Sequence, residues 1–261
     1  YQTLVLADVL LTPANPVPSN LSASSISSTT ATIGWDDAGV DSYDMQYRIN
    51  GSSTWISTTS AVNSLDLTGL TINTTYEFQV RSVCNATTSN YSSSSLFTTL
   101  SVSYCTSTGS TTERGITRVN FVGETTIDNL SSSTNSYQDF TNIQTDVRTG
   151  NSYQLKVNLT TTGLNGQKKL YAYAFIDFNK DGIFSTIDER FDLGTVAKNN
   201  INLQSSIAPT ILIPLTAYIG TVNMRISTKE GSYPSSCETG FDGEVEDYTV
   251  NIIDSTLGIQ D

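Results

Sequence analysis

The chain has 261 residues, with 25 acidic side chains against 13 basic ones, a formal net charge of −12 and no histidine. The lack of histidine excludes histidine-ligated zinc sites and catalytic centres that depend on a histidine base within this chain. The negative charge disfavours contact with phosphate backbones, so we expect no nucleic-acid partner.

The composition favours strands over helices. Hydrophobic residues make up 37% of the chain and charged residues only 15%, while serine and threonine are abundant. Threonine is β-branched and favours strands. No run of 18 apolar residues occurs, so we expect no direct insertion into a membrane. At about 100–200 residues per domain, the length predicts two domains.

Residues 1–16 predict an extended N-terminal segment or linker, because proline recurs from position 13 onward. The opening residues lack the basic region of a signal peptide. We therefore expect a mature or excised piece, with an upstream domain of the same polypeptide before it.

Residues 17–100 show short alternating runs separated by turn signals, the pattern of a β-sandwich. Asn50-Gly51 predicts a tight turn. Alternation places Tyr76, Phe78 and Val80 on one face of their strand. The predicted strands are residues 21–26, 31–35, 43–49, 55–58, 64–67, 76–83 and 96–99.

This segment resembles a fibronectin type III domain. Trp35 matches the core tryptophan of that family's strand B, and Tyr47 matches its strand C tyrosine. Residues 70–76 match its tyrosine corner, with Ile72 where a proline is common. The resemblance implies an immunoglobulin-like sandwich whose aromatic residues form the core, and a role in spacing or presentation.

Residues 101–254 again predict strands, with no convincing amphipathic helix. We expect a second, larger sandwich of jelly-roll type, so that the chain is all-β with two tandem β-sandwiches. Residues 255–261 predict a linker tail. The predicted strands are residues 116–121, 153–159, 170–175, 210–214, 222–227 and 245–253.

The second segment resembles the GEVED domain of secreted Bacteroidota proteins. The resemblance rests on Gly-Glu-Val-Glu-Asp-Tyr at 243–248, Tyr-Cys at 104–105 and Asp-Phe-Asn-Lys-Asp-Gly at 177–182. It implies a secreted or cell-surface protein with peptidases, adhesins or fibronectin-like repeats as neighbours. It also implies that the tail leads to a type IX secretion sorting domain.

The loop from residue 177 has the ligand spacing of a calcium loop, and Ca²⁺ prefers six to eight oxygen ligands. Gly182 at position 6 permits the sharp turn, and Glu189 competes with the residue at position 12. Magnesium and a solvated turn that binds nothing are the alternatives, whereas zinc lacks ligands. The predicted ligands of a structural Ca²⁺ are Asp177, Asn179, Asp181, the carbonyl of Ile183, Ser185 and Asp188.

A second acidic cluster contains no base; it consists of Glu238, Asp242, Glu244, Glu246 and Asp247. Alternation puts Glu244 and Glu246 on one face of a strand and Asp247 on the other. Three interpretations stay open: an exposed acidic face, a further metal ligand from Glu246 or Asp247, or neutralisation by an arginine such as Arg225.

Three cysteines allow at most one intrachain disulfide. Cys105 and Cys237 lie in terminal regions of the second segment, and the GEVED resemblance favours their pairing. That bond would close a loop of about 130 residues, worth about 4–5 kcal/mol by chain entropy. Cys84 would then be free, and a Cys84–Cys105 bond is the alternative. Either bond implies an oxidising, extracellular location.

We expect no enzyme. Cys84 has no histidine to activate it, and the clustered carboxylates are better explained by calcium and surface charge than by glycosidase chemistry. Two sandwiches with a calcium loop predict an extracellular accessory or adhesion module that binds a polysaccharide or a protein. A rigid spacer for a missing upstream peptidase or glycoside hydrolase is the alternative. Tyrosines such as Tyr171 and Tyr173 are candidates for sugar stacking, but we expect most of them to pack in the core or to cap it.

Overall fold

The computed structural model of the chain describes residues 15–110, 114–164 and 168–255. The predicted N-terminal segment and linker tail lie outside the described residues, apart from residues 15, 16 and 255. The elements of the described residues are all β-strands, which confirms the all-β class. No helix among them is long and apolar enough to cross a membrane. The chain divides into two compact units, residues 1–101 and 102–261.

Unit 1 is built from antiparallel sheets. One sheet has the order β1-β2-β5, and the other has the order β4-β3-β6-β7, with β8 also pairing with β6. All seven predicted strands are present, and the two-residue β7 is additional. The strands are β1 (Ser22–Ser24), β2 (Ala31–Gly34), β3 (Ser42–Ile49), β4 (Ile56–Ser60), β5 (Ser64–Leu67), β6 (Thr75–Cys84), β7 (Thr87–Thr88) and β8 (Ser95–Thr98).

The core of unit 1 is aromatic. Trp35 is buried, and its ring meets that of Tyr43 edge-on at 5.2 Å between centroids. Strand β6 buries every second residue, including the fully buried Phe78, as the alternation predicts. The hydroxyl of Tyr76 accepts a hydrogen bond from the Thr71 N–H at 2.8 Å, which forms the predicted tyrosine corner. Each large apolar side chain buried in this way contributes about 1.5–3 kcal/mol.

Unit 2 contains twelve described strands in two five-stranded sheets and one short pair. The β13 sheet has the order β11-β10-β13-β16, with β17 also pairing with β13. The β20 sheet has the order β12-β20-β18-β14-β15. The strands are β9 (Thr108–Gly109), β10 (Arg114–Val122), β11 (Thr126–Leu130), β12 (Tyr137–Arg148), β13 (Ser152–Thr161), β14 (Lys169–Ile176), β15 (Arg190–Ala197), β16 (Leu203–Gln204), β17 (Thr210–Leu212), β18 (Gly220–Glu230), β19 (Thr239–Phe241) and β20 (Gly243–Ile253).

One hydrophobic core lies between these two sheets. It takes Phe121 and Leu155 from the β13 sheet and Met224 and Tyr248 from the β20 sheet, all fully buried. Strand β12 pairs with β20 in parallel, whereas β18 pairs with β20 antiparallel. The β20 sheet is therefore mixed, a feature that the jelly-roll expectation did not include.

A disulfide ties together two loop segments of unit 2. Cys105 is bonded to Cys237 with a Cα–Cα distance of 5.4 Å, and Cys84 is free, as predicted. Beside the disulfide, β9 and β19 form a parallel pair. These segments contact the face of the β20 sheet that points away from the core, called here the outer face, through Arg225 on β18.

Candidate metal loop and its neighbouring cleft

The loop between β14 and β15 folds around the side chain of Asp177, which is fully buried. Asp177 Oδ2 accepts the Gly182 N–H at 2.9 Å, and Oδ1 accepts the Asp181 N–H at 3.2 Å. Gly182 has a φ of 84°, and a Cβ there would lie 2.9 Å from the Ser103 carbonyl oxygen. Glycine is therefore required at this position both by conformation and by space.

Three oxygen-bearing side chains of the loop lie around this turn. Asn179 Oδ1 accepts the Asp181 N–H at 3.0 Å, and Asp181 Oδ1 accepts the Ile183 N–H at 2.7 Å. Ser185 Oγ accepts the Ile187 N–H at 3.3 Å. The spacing read from the sequence thus produces a series of side chains that hold their own backbone in a turn.

The acidic residue that turns into the loop is Glu189. Its carboxylate is buried; Oε1 accepts the Phe178 N–H at 2.8 Å and Oε2 accepts the Ser185 N–H at 2.7 Å. Asp188, given position 12 by the spacing, is exposed. The geometry therefore favours the competitor, Glu189, as the carboxylate that closes the loop.

Burial and neighbouring negative charge disfavour ionisation of both buried carboxylates of the loop. Burial raises the pKa of Asp177, and the charge of Asp181 raises it further. Burial, followed by the charge of Asp177, raises the pKa of Glu189 to about 7. Across the described residues, no three acidic, histidine or cysteine side chains converge as a metal-binding group. A cation here would accordingly depend on amide and backbone oxygens as well as on carboxylates.

Tyr104 links this loop to the disulfide segment. Its hydroxyl is hydrogen-bonded to the Asp177 carboxylate and receives the backbone N–H of Asn223. Its ring stacks on Phe184 with centroids 5.4 Å apart. Tyr104, the neighbour of Cys105 in the chain, therefore holds the Asp177 carboxylate in position.

Arg225 connects the outer face of the β20 sheet to the segments around the disulfide. Its side chain is 3% exposed and forms a bidentate pair with Asp247, with Nε–Oδ1 and Nη2–Oδ2 distances of 2.7 Å each. Its Nη1 donates to the Cys105 and Ser236 carbonyl oxygens at 2.9 and 2.7 Å. Of the interpretations left open for Asp247, the pairing with Arg225 is the one observed.

Glu244 and Glu246 are fully buried, so the interpretation of an exposed acidic face is wrong for them. Glu244 accepts the Ile116 N–H at 2.7 Å and the Gln138 side chain at 2.6 Å. Glu246 accepts the Tyr248 hydroxyl at 2.7 Å. Alternation gave the face of these residues correctly, but it could not show that the β13 sheet covers that face.

Burial is the main electrostatic influence on both glutamates. It raises the pKa of Glu244 to about 9, with a further contribution from the charge of Glu246. It raises the pKa of Glu246 to about 7. Gly243 precedes them, and a Cβ there would overlap the Thr228 carbonyl oxygen. The hexapeptide at 243–248 is therefore a structural element that ties β20 to its neighbours.

Two adjoining clefts open beside Tyr104 on the outer face. The larger one has a volume of about 410 Å³ and includes Arg225 and Asp247 in its wall. The smaller one has a volume of about 310 Å³. They share Tyr104, Thr141 and Asn223. Sequence reasoning did not single out Asn223 or Thr141, because isolated polar residues in a strand give no signal.

A tyrosine cluster lies at another part of the β20 sheet, away from the clefts. The rings of Tyr173 and Tyr233 stack with centroids 4.3 Å apart, and Tyr171 meets Tyr233 edge-on at 5.0 Å. The Tyr233 hydroxyl donates to Asp192 at 3.1 Å. These three tyrosines are half-buried or exposed, whereas Tyr153 and Tyr218 pack against the core of unit 2.

Comparison with known proteins agrees with both resemblances. The family model of the GEVED domain matches residues 171–251, and that of the fibronectin type III domain matches residues 16–99. No curated protein matches the chain.

Similar solved structures cover about a third of the chain. They include a computationally redesigned β-sandwich protein, 26% identical over 34% of this chain and 98% of that one, with a TM-score of 0.31. The FN5 domain of Drosophila Lar is 18% identical over 33% and 98%, with a TM-score of 0.30. The FN3 domain of human collagen XX is 22% identical over 34% and 98%, with a TM-score of 0.30. By the two family models alone, the chain carries a fibronectin type III domain followed by a GEVED domain.

Proposed function

We propose that this chain is an accessory or adhesion module with a structural Ca²⁺ in unit 2, and that it binds a glycan or protein target for a secreted or cell-surface Bacteroidota protein. The two domain types and the disulfide fit a non-catalytic extracellular module. Export by type IX secretion is part of the proposal.

The calcium proposal rests chiefly on the pairing of two buried carboxylates, Asp177 and Glu189, in one oxygen-rich loop. A divalent cation would neutralise both charges. The donors are carboxylates, an amide and backbone oxygens, which suit a hard cation such as Ca²⁺. The proposed ligands are Asp177, Asn179, Asp181, the Ile183 carbonyl and Glu189, with Ser185 binding directly or through water.

The test compares calcium binding of matched variants by calorimetry and by thermal unfolding with calcium or chelator. Glu189→Gln should weaken calcium affinity by about tenfold or more, because affinity follows the charge count of the ligands. Asp188→Asn removes a neighbouring exposed charge and should leave affinity unchanged. For the wild type, calcium at a hundred times its Kd should add about 2.7 kcal/mol of stability.

Asp181→Asn keeps an oxygen for the Ile183 N–H while removing the charge. It should lower the unfolding temperature in calcium but leave it unchanged in chelator. Equal losses in both conditions, or an Asp188→Asn variant that loses calcium as Glu189→Gln does, would show that the loop does not hold the ion as proposed.

A binding role without catalysis is supported by the walls of the larger cleft. Among the described residues that line it, Asp247 is the only acid, and it is paired with Arg225. A glycosidase needs two carboxyl groups facing the substrate. Assays against polysaccharide and peptide substrates should therefore detect no turnover, and turnover that co-purifies with the chain and follows its concentration would contradict the proposal.

A further inference from the structure

We propose that the two adjoining clefts on the outer face of the β20 sheet bind a neutral oligosaccharide, with Asn223, Thr106 and Tyr137 as contact residues. This inference deepens the proposed function and rests on it, because it gives the binding role a site and a ligand class.

Asn223 supplies the first observation. Its half-buried side chain lies in the wall that the two clefts share. Its own backbone N–H is occupied by the Tyr104 hydroxyl. A side-chain amide both donates and accepts hydrogen bonds, so this residue can bind a sugar hydroxyl.

The charges in the clefts supply the second observation. Arg225 and Asp247 neutralise each other, and two backbone carbonyls occupy the remaining Nη1 of Arg225. Lys180 in the smaller cleft lies 4.5 Å from the ring centroid of Tyr218. The charged groups thus have partners within the protein, and the net charge of −12 repels anionic ligands. A neutral ligand fits this environment.

The remaining wall of the larger cleft is made of hydroxyls and aromatic rings. Thr106, Thr108 and Thr141 each carry a hydroxyl, which both donates and accepts hydrogen bonds as sugar hydroxyls do. Tyr137 is 37% exposed, and its hydroxyl donates to Asp247 at 3.1 Å, which anchors the ring at the cleft. Such a ring offers an apolar face to a sugar. The cleft volumes fall in the range of about 300–1,000 Å³ usual for ligand sites.

The test begins with arrays of neutral oligosaccharides from β-glucan, xylan, mannan and chitin, with uronic and sulfated oligosaccharides and matrix proteins alongside. The full chain is used in calcium. We expect neutral sugars to bind and acidic ones to fail. For the best neutral sugar, calorimetry should give about five- to tenfold weaker binding for Asn223→Ala and for Thr106→Ala, as for one or two lost hydrogen bonds.

Tyr233→Ala is the matched control, because it removes an exposed tyrosine in the loop that follows β18, outside the clefts. It should leave affinity unchanged, and Thr106, being exposed, provides a variant that keeps the fold if Asn223→Ala does not. The assignment of the clefts as the binding site is overturned if Tyr233→Ala abolishes binding while both cleft variants retain it, or if only acidic sugars bind. Binding to a matrix protein but to no sugar overturns the cleft and leaves the proposed function standing. Binding to neither overturns both.

Discussion

Replacing Asp247 by alanine should unfold unit 2 far more easily, because it leaves the Arg225 guanidinium buried without a counter-charge. Both side chains are nearly inaccessible, at 3% and 5% exposure, and they share two hydrogen bonds of 2.7 Å. Removing one partner of such a pair costs about 3–5 kcal/mol. In a unit of this size, that loss lowers the unfolding temperature by roughly 6–20 °C.

Urea unfolding of the full chain, followed by a probe for each unit, measures this effect. The transition of unit 1 serves as an internal reference, since Asp247 belongs to unit 2. Asp128→Ala is the matched control. It breaks the pair with Arg118, whose side chains are 41% and 46% exposed, and solvent screening should make the change small.

A double variant separates the burial of a charge from the loss of a contact. Arg225→Met combined with Asp247→Leu should recover part of the lost stability, because neither charge is then left alone. If Asp247→Ala lowers the free energy of unfolding of unit 2 no more than Asp128→Ala does, the claim that Arg225 and Asp247 hold the outer face together is refuted.

Two further predictions concern unit 2. The folded-state pKa values of Glu244 and Glu246, about 9 and about 7, lie above the pKa of an unfolded-state glutamate. The protonated side chains therefore stabilise the fold fully below the unfolded-state pKa, and this stabilisation is lost as pH rises through 7 to 9. Chemical unfolding in saturating calcium from pH 6 to 9 should show this fall, and Glu244→Gln and Glu246→Gln should flatten it; a slope unchanged in both variants argues against these groups. Replacing Cys105 and Cys237 by serine should cost unit 2 about 4–5 kcal/mol by chain entropy, whereas Cys84→Ser should change nothing; equal effects in the urea midpoint would contradict the loop-closure account.

The strands that the sequence predicts well are those with one face on the core. Strand β6 alternates strictly and is found where it was expected, within one residue at each end. The sequence pattern did not predict β11, β12 and β15, nor the short strands β9, β16 and β19. Most of β12 is only partly buried, and a register shift between Phe140 and Gln144 breaks its alternation. A half-exposed strand with a bulge has no simple period for a sequence pattern to detect.

The candidate loop illustrates a similar limit. Its spacing placed Asp177, Asn179 and Asp181 around one turn, because side chains two residues apart cap their own backbone. The choice between Asp188 and Glu189 depends on which side chain the return of the chain into β15 buries. That choice is made by tertiary packing, which spacing alone does not encode.

The bond between Cys105 and Cys237 also limits how far unit 2 can lengthen when the chain is pulled from its ends. The sequence separation of the two cysteines is 132 residues, and the backbone between them cannot be drawn out while the bond is intact; β20 lies after Cys237 and stays in the loaded path. A fully extended chain spans about 3.3–3.6 Å per residue, so the bond shortens the maximum extension of the chain by roughly 440–470 Å. Most of the backbone of unit 2 is thereby protected from extension as long as its surroundings remain oxidising.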